Sequence, residues 1–249
     1  MDIKDKVVVI TGIGTGLGRS LAQDFAKSGA KVAGISRTEA DLVETAKSCP
    51  GLVWHAGDVS KAEDVDALFE KTEAALGPVD VLINNAAVYP REFFVDQSMD
   101  DFEKALLVNV MGVARTCHRA LPNMLERRFG RIVNIGSYAF VAPIPRAAVY
   151  SASKGAVSSL TRALASEVDA EKFPDVRINE LMPGQFDTRM GISSGEPPDN
   201  VFGYTLPVVT VPKGGPHGRI FLKGELQDDG SDGGLKAKIK RAVKKFLPL

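Results

Sequence analysis

The sequence predicts a single-domain, doubly wound α/β fold, an open parallel sheet of about seven strands with helices on both faces. Three observations predict it. Short β-branched runs alternate with longer amphipathic stretches from residue 7 to residue 223, the pattern of repeated βαβ units. Several of the short runs are almost continuously apolar, as a strand covered on both faces requires. A chain of 249 residues, 44% hydrophobic and 25% charged, supplies one sizeable core.

The elements follow in order. Residues 7–11 (VVVIT) read as a buried first strand, and a glycine-rich loop carries the chain into a helix over 17–28. Residues 31–36 and 52–58 read as the second and third strands, separated by a helix over 39–49. A helix over 61–76 leads to a fourth strand at 81–84, and a long helix over 99–128 leads to a fifth at 131–135. A helix over 150–173 and strands at 177–181 and 219–223 complete the set, joined by right-handed crossovers. Residues 201–211 contain Gly203 and Pro207 and read poorly as a helix. No repeat of solenoid period is present.

The organisation is a body over 1–226, an acidic linker over 227–234 (QDDGSDGG) and a tail over 235–249. The tail carries six basic residues and no acidic one, so the neutral total of 31 basic and 31 acidic residues hides an acidic body. Leu235, Ile239, Ala242, Val243 and Phe246 would share one stripe of a tail helix, leaving self-docking, disorder, or an anionic lipid or partner as its expected roles. A protein with no basic excess is not expected to bind nucleic acid. Cys49 and Cys117 lie far apart, and His55, His118 and His217 show no ligand spacing with them, which argues against a disulfide scaffold or a metal site. The charged start, residues 1–6, and the absence of 18 successive apolar residues point to a cytoplasmic protein with no transmembrane segment.

The loop Thr11-Gly12-Ile13-Gly14-Thr15-Gly16-Leu17-Gly18 follows the first strand and opens the first helix, the context in which a glycine-rich loop binds a dinucleotide. Its glycines let the backbone approach a pyrophosphate, while free N–H groups and the helix dipole favour the anion. Gly18 would also let helix and strand pack closely. At the end of the second strand an acidic residue would select NAD(H) by accepting from the ribose. The chain places Ser36 and Arg37 there, a hydroxyl and a cation suited to a 2′-phosphate, which favours NADP(H) over NAD(H).

Tyr150 and Lys154 are four residues apart on a helix, hence on one face, where an ammonium would lower the phenol's pKa. Ser137 ends the fifth strand, where its hydroxyl would face the cleft of an open sheet.

On these residues the chain resembles the short-chain dehydrogenase/reductase family, of the kind that includes β-ketoacyl carrier-protein reductases, over residues 6 to about 188. Thr11 to Gly18, with Thr15 and Leu17 among them, match the TGxxxGxG loop. Asp58-Val59 match the adenine-holding acid, Asn84-Asn85-Ala86-Ala87 the NNAG element, and Asn109 the helix asparagine. Ser137, Tyr150 and Lys154 match the catalytic serine and the YxxxK pair, and Pro183-Gly184, Phe186 and Thr188 fall in the PGxxxT stretch beside the nicotinamide. The resemblance implies a Rossmann-type oxidoreductase moving a hydride between NADP(H) and a carbonyl or alcohol carbon. In it Tyr150 gives the proton, Ser137 holds the oxygen, and Lys154 binds the ribose and tunes Tyr150. Asn109 would hold a water that links Lys154 to solvent.

The chain departs from the family pattern at Gly136, Phe140 and Ala87, and in a shortened lid after Thr188. Tyr89, Phe93, Phe94, Tyr138, Phe140 and Ile144 fall at the substrate edge and suit an apolar or acyl-type carbonyl compound, or serve as lid and core packing. Arg91 and Arg146 could meet an anionic group. A dinucleotide-binding regulatory or scaffold protein is the alternative from another class. The apolar surplus on the two long helices, with the family resemblance, implies a homodimer or homotetramer.

Overall fold

The computed structural model describes residues 1–191 and 193–227; the tail and all of the linker but Gln227 lie outside them. Eight strands form one sheet in the order β3-β2-β1-β4-β5-β6-β7-β8. They are β1 (Val7–Thr11), β2 (Lys31–Ser36), β3 (Val53–Ala56), β4 (Val81–Asn84), β5 (Gly130–Ile135), β6 (Val176–Met182), β7 (Ile220–Leu222) and β8 (Glu225–Leu226). All neighbours are parallel except β7 and β8, whose two-residue antiparallel pairing has too little periodicity to be seen in a sequence. The third strand is shorter than expected because the chain turns at Gly57 and Asp58, where Ser60 N–H donates to the Asp58 carboxylate at 2.9 Å.

Helices α1 (Gly16–Lys27), α2 (Glu39–Lys47), α3 (Ala62–Leu76), α4 (Met99–Leu106), α5 (Gly112–Glu126), α6 (Ala148–Glu167) and α7 (Val201–Val209) cover the two faces. One apolar layer gathers Val8, Ile10, Leu21, Phe25, Leu181 and Val208; the other gathers Val9, Leu68, Phe69, Met124, Val157 and Ile178. Alternate residues of one strand, such as Val8 and Val9, thus feed opposite layers, which is why these strands read as unbroken apolar runs.

Three expected elements differ. The long helix over 99–128 is interrupted by a π-helical turn at Leu107–Met111, an irregularity that amphipathic spacing does not reveal. The helix expected to reach residue 173 stops at Glu167, and Asp169 then accepts the N–H groups of Glu171 and Lys172 to make a turn. Residues 201–209 do form a helix despite Gly203 and Pro207. Val201, Thr205, Val208 and Val209 are buried, and Phe202 meets Phe25 edge-on at 5.0 Å, so packing overrides propensity.

Candidate active site

The sheet order reverses between β1 and β4, and at that switch point a cleft opens along the carboxyl ends of the strands. Its volume is about 880 Å³. One end is floored by the β1–α1 turn. Gly12 and Gly16 adopt φ of 76° and 55°, the left-handed region that an L side chain enters at a cost. A Cβ on Gly12 would stand 3.0 Å from Ala86 Cα. Thr15 caps α1 in an extended conformation with no side-chain hydrogen bond, and the first turn holds no acidic residue. The first N–H groups of α1 therefore lack an internal partner beside the cleft, as the pyrophosphate of a dinucleotide requires. These residues fit a dinucleotide.

Gly12, Thr15, Gly16 and Leu17 line the cleft, as do Ser36, Arg37, Asp58, Val59, Asn85, Ala86, Ala87, Pro183, Gly184, Phe186 and Thr188. Gly14 and Gly18 are buried beneath the loop and serve its packing. A Cβ on Gly18 would meet the Gly12 carbonyl oxygen at 2.1 Å, and one on Gly14 would meet Ser36 Oγ at 2.6 Å. Asn85 ties the loop to β4: its Nδ2 donates to the Thr11 carbonyl at 2.9 Å, and Thr11 Oγ1 accepts the N–H groups of Asn85 and Ala86. Acid is not wholly missing beyond β2. Asp41, on the first turn of α2, also lines the cleft, 3.8 Å from the guanidinium of Arg19, which donates to the Gly14 and Asp41 carbonyls. It lies five residues past Ser36, outside the window in which a ribose-binding acid is sought.

The reacting end is built by β5 and α6. Ser137 follows β5, accepts the Ala139 N–H at 3.1 Å and hydrogen-bonds Tyr150. Lys154, one turn along α6 and 4% exposed, donates from Nζ to the Ile135 carbonyl at 2.7 Å. The phenol ring of Tyr150 lies 5.7 Å from this ammonium and stacks on Tyr89 at 4.3 Å. Burial pushes the Tyr150 phenol above its ordinary pKa, against a smaller opposite effect of the Ser137 hydrogen bond. The expected lowering by Lys154 is thus not what dominates here: burial weakens that ammonium, pushing its pKa down to about 8.

Asn109 lies in the π-turn and is buried, and it does not line the cleft. Its side chain accepts from Val88 N–H at 2.7 Å and donates to the Val88 carbonyl and to Ser153 Oγ. Its side-chain amide thus ties the loop after β4 to α6. Sequence reasoning missed a buried network in which Asn84 donates to Asn134, Thr116 to Asn84, and Asn134 to Thr161, pinning β4, β5, α5 and α6 behind the site. Its one signal is an asparagine inside each of two apolar strands.

At the substrate edge, Tyr89, Tyr138, Ile144, Arg91 and Arg146 line the cleft. Phe93 and Phe94 stand outside it, exposed, and Phe140 packs over Gly155. Arg91 reaches across the mouth to donate to the Met190 and Gly191 carbonyls at 2.5 and 2.6 Å. The short lid is fastened from behind by Glu196, which accepts from Tyr204 OH at 2.6 Å and pairs with Lys223. These two partners hold its carboxyl down to about 2.

Among the described residues no cluster of His, Cys, Asp or Glu could hold a metal, and no helix is long and apolar enough to cross a membrane.

The short chain dehydrogenase family model matches residues 6–199. Carbonyl reductase [NADPH] 2 of Sus scrofa is 35% identical over 195 residues, 77% of this chain and 76% of that protein. The 3beta-hydroxysteroid dehydrogenase 1 of Eggerthella lenta is 35% identical over 196 residues, 75% of this chain and 73% of that protein. Among solved structures, 3-ketoacyl-(acyl-carrier-protein) reductase from Brucella melitensis, complexed with NADH, superposes with a TM-score of 0.82 at 28% identity. The superposition covers 88% of this chain and 97% of that one.

Proposed function

The chain belongs to the short chain dehydrogenase family of oxidoreductases, and on that footing we propose that it is an NADP(H)-dependent reductase of a carbonyl compound, or dehydrogenase of the matching secondary alcohol. The observation that carries this reading is the meeting of Ser137, Tyr150 and Lys154 in the same cleft as the open amides of the glycine loop. The bound nicotinamide supplies the hydride. In the reducing direction Tyr150 donates its phenolic proton to the carbonyl oxygen, which Ser137 holds by a hydrogen bond. The raised pKa of Tyr150 keeps that proton in place at neutral pH. Lys154 binds the nicotinamide ribose and offsets the charge that appears on Tyr150 as the proton leaves. Asn109 holds the loop after β4 against α6, so that Tyr89 stays stacked on Tyr150.

The test is purified protein with NADPH and a panel of ketones. Steady loss of nicotinamide absorbance supports the reductase; tight NADPH binding without turnover would favour a scaffold role. Tyr89, Tyr138 and Ile144 give the substrate end an apolar wall, suited to an apolar or acyl-type carbonyl compound.

The relatives point both ways on the cofactor, one named for NADPH and one complexed with NADH. Ser36 and Arg37 favour the 2′-phosphate, and Asp41 is already engaged by Arg19. Ser36→Asp with Arg37→Ala is expected to shift preference toward NADH by about 2 kcal/mol, the scale of one charge-assisted hydrogen bond. Equal use of both cofactors by the wild type would contradict the role of Arg37. We further propose a cytoplasmic homodimer or homotetramer; a sedimentation mass near the 26.6 kDa monomer at micromolar concentration would refute self-association.

A further inference from the structure

One buried carboxyl behind the site plays no part in the mechanism above. Glu180 lies in the middle of β6 and is 0% exposed. Its register partners in the sheet, Asn134 of β5 and Ile220 of β7, are uncharged. The charges that act on it are Lys154 and Arg162, both on α6. With Ser158 between them, these residues recur every four positions and so form one stripe of that helix above the strand. Its carboxyl also presses on β5. A Cβ on Gly136 would stand 2.0 Å from Glu180 Oε1, so only glycine leaves room for this carboxyl. The Ile135 carbonyl next to Gly136 is the group that accepts from Lys154 Nζ. The carboxyl and the ammonium thus flank the same peptide, directly beneath Ser137.

Glu180 is poorly satisfied. Ser158 is near enough to favour its ionised form, yet neither carboxyl oxygen nor Ser158 Oγ completes a well-aligned hydrogen bond. An apolar residue would cost less in this layer of Val157, Val176 and Ile178. Burial raises the affinity of Glu180 for a proton and lowers that of Lys154, and each opposes the other's shift by its charge. The two groups therefore come closer in proton affinity than they are in water.

We propose that Glu180 is a positioning residue for the reaction, a buried counter-charge that keeps Lys154 protonated beneath Tyr150 and so sets the upper pH limit of carbonyl reduction. The proposal rests on the reductase reading, in which Lys154 must carry its charge as Tyr150 gives up a proton.

The test is Glu180→Gln, which keeps shape and removes the charge. Two readouts separate the possibilities. The first is the titration of Lys154 in protein labelled with 13C-lysine, assigned by the resonance lost in Lys154→Met. Its midpoint is expected to fall by at least about half a pH unit in Glu180→Gln. The second is the pH profile of kcat for ketone reduction, whose basic limb should move down by a similar amount while KM for the ketone stays within about twofold. Gly136→Ala/Glu180→Ala, which refills the space, is expected to recover thermal stability without restoring the basic limb. A Lys154 midpoint that stays within about 0.2 units overturns the proposal, whatever happens to stability. A shifted midpoint in a protein that turns over no ketone would leave the pairing standing and sink the reductase reading instead.

Discussion

Tyr150→Phe is expected to lower kcat for ketone reduction by about two to four orders of magnitude, the range that a positioned general acid supplies. Because the substitution deletes one oxygen and keeps the ring, the stack on Tyr89 at 4.3 Å survives. Lys154 keeps its bond to the Ile135 carbonyl, and the glycine loop is untouched. NADPH binding, followed by fluorescence, should therefore remain within about threefold of wild type, since the lost interaction acts on the transferring proton alone. Ser137 loses its contact with the Tyr150 hydroxyl but keeps its contact with Ala139 N–H, so it still points into the cleft. A variant with half the wild-type rate would show that the proton comes from elsewhere.

Much of this site is legible in the sequence because it is local. The glycine loop and the Tyr150–Lys154 spacing each lie within one turn, and Ser137 sits at the end of a recognisable strand. The parallel sheet is legible for the same reason, since several of its strands, β1 and β4 above all, are nearly unbroken apolar runs bounded by a turn or a helix. What escaped the sequence depends on partners distant in the chain. Asn109 is legible as a motif residue, but the partners of its side chain are not: Val88, 21 residues away, and Ser153, 44 away. The helix over 201–209 carries a glycine and a proline and forms because its apolar side meets α1, more than 170 residues earlier. Glu180 gave a signal, a lone acid inside a buried strand, but its meaning needs Gly136 and α6 in place.

The second large effect concerns Lys154, where activity and stability are expected to move in opposite directions. Folding buries this ammonium and pushes its pKa from 10.5 to about 8. Below pH 8 both the folded and unfolded chains hold the proton, and the folded state bears the full cost of burying the charge. Between about pH 8 and 10.5 the unfolded chain binds more protons than the folded one, so stability rises with pH across that window. The cost relieved is about 3 kcal/mol, from a shift of about 2.5 units at 1.36 kcal/mol each. Lys154→Met fills the same space without the charge, at the expense of one hydrogen bond to the Ile135 carbonyl, worth about 1 kcal/mol. Glu180, whose pKa burial already raises, holds a proton more tightly still once this counter-charge is gone. The variant should therefore gain roughly 1 to 2 kcal/mol at pH 7, or several degrees in Tm, and lose the stability rise above pH 8. Turnover should fall by at least about a hundredfold and NADPH affinity by about tenfold, because the charge that serves both is gone. Thermal melts of the two proteins from pH 7 to 10 decide the matter. Parallel Tm curves would mean that the ammonium is not buried as a charge, and an active Lys154→Met would remove it from the mechanism.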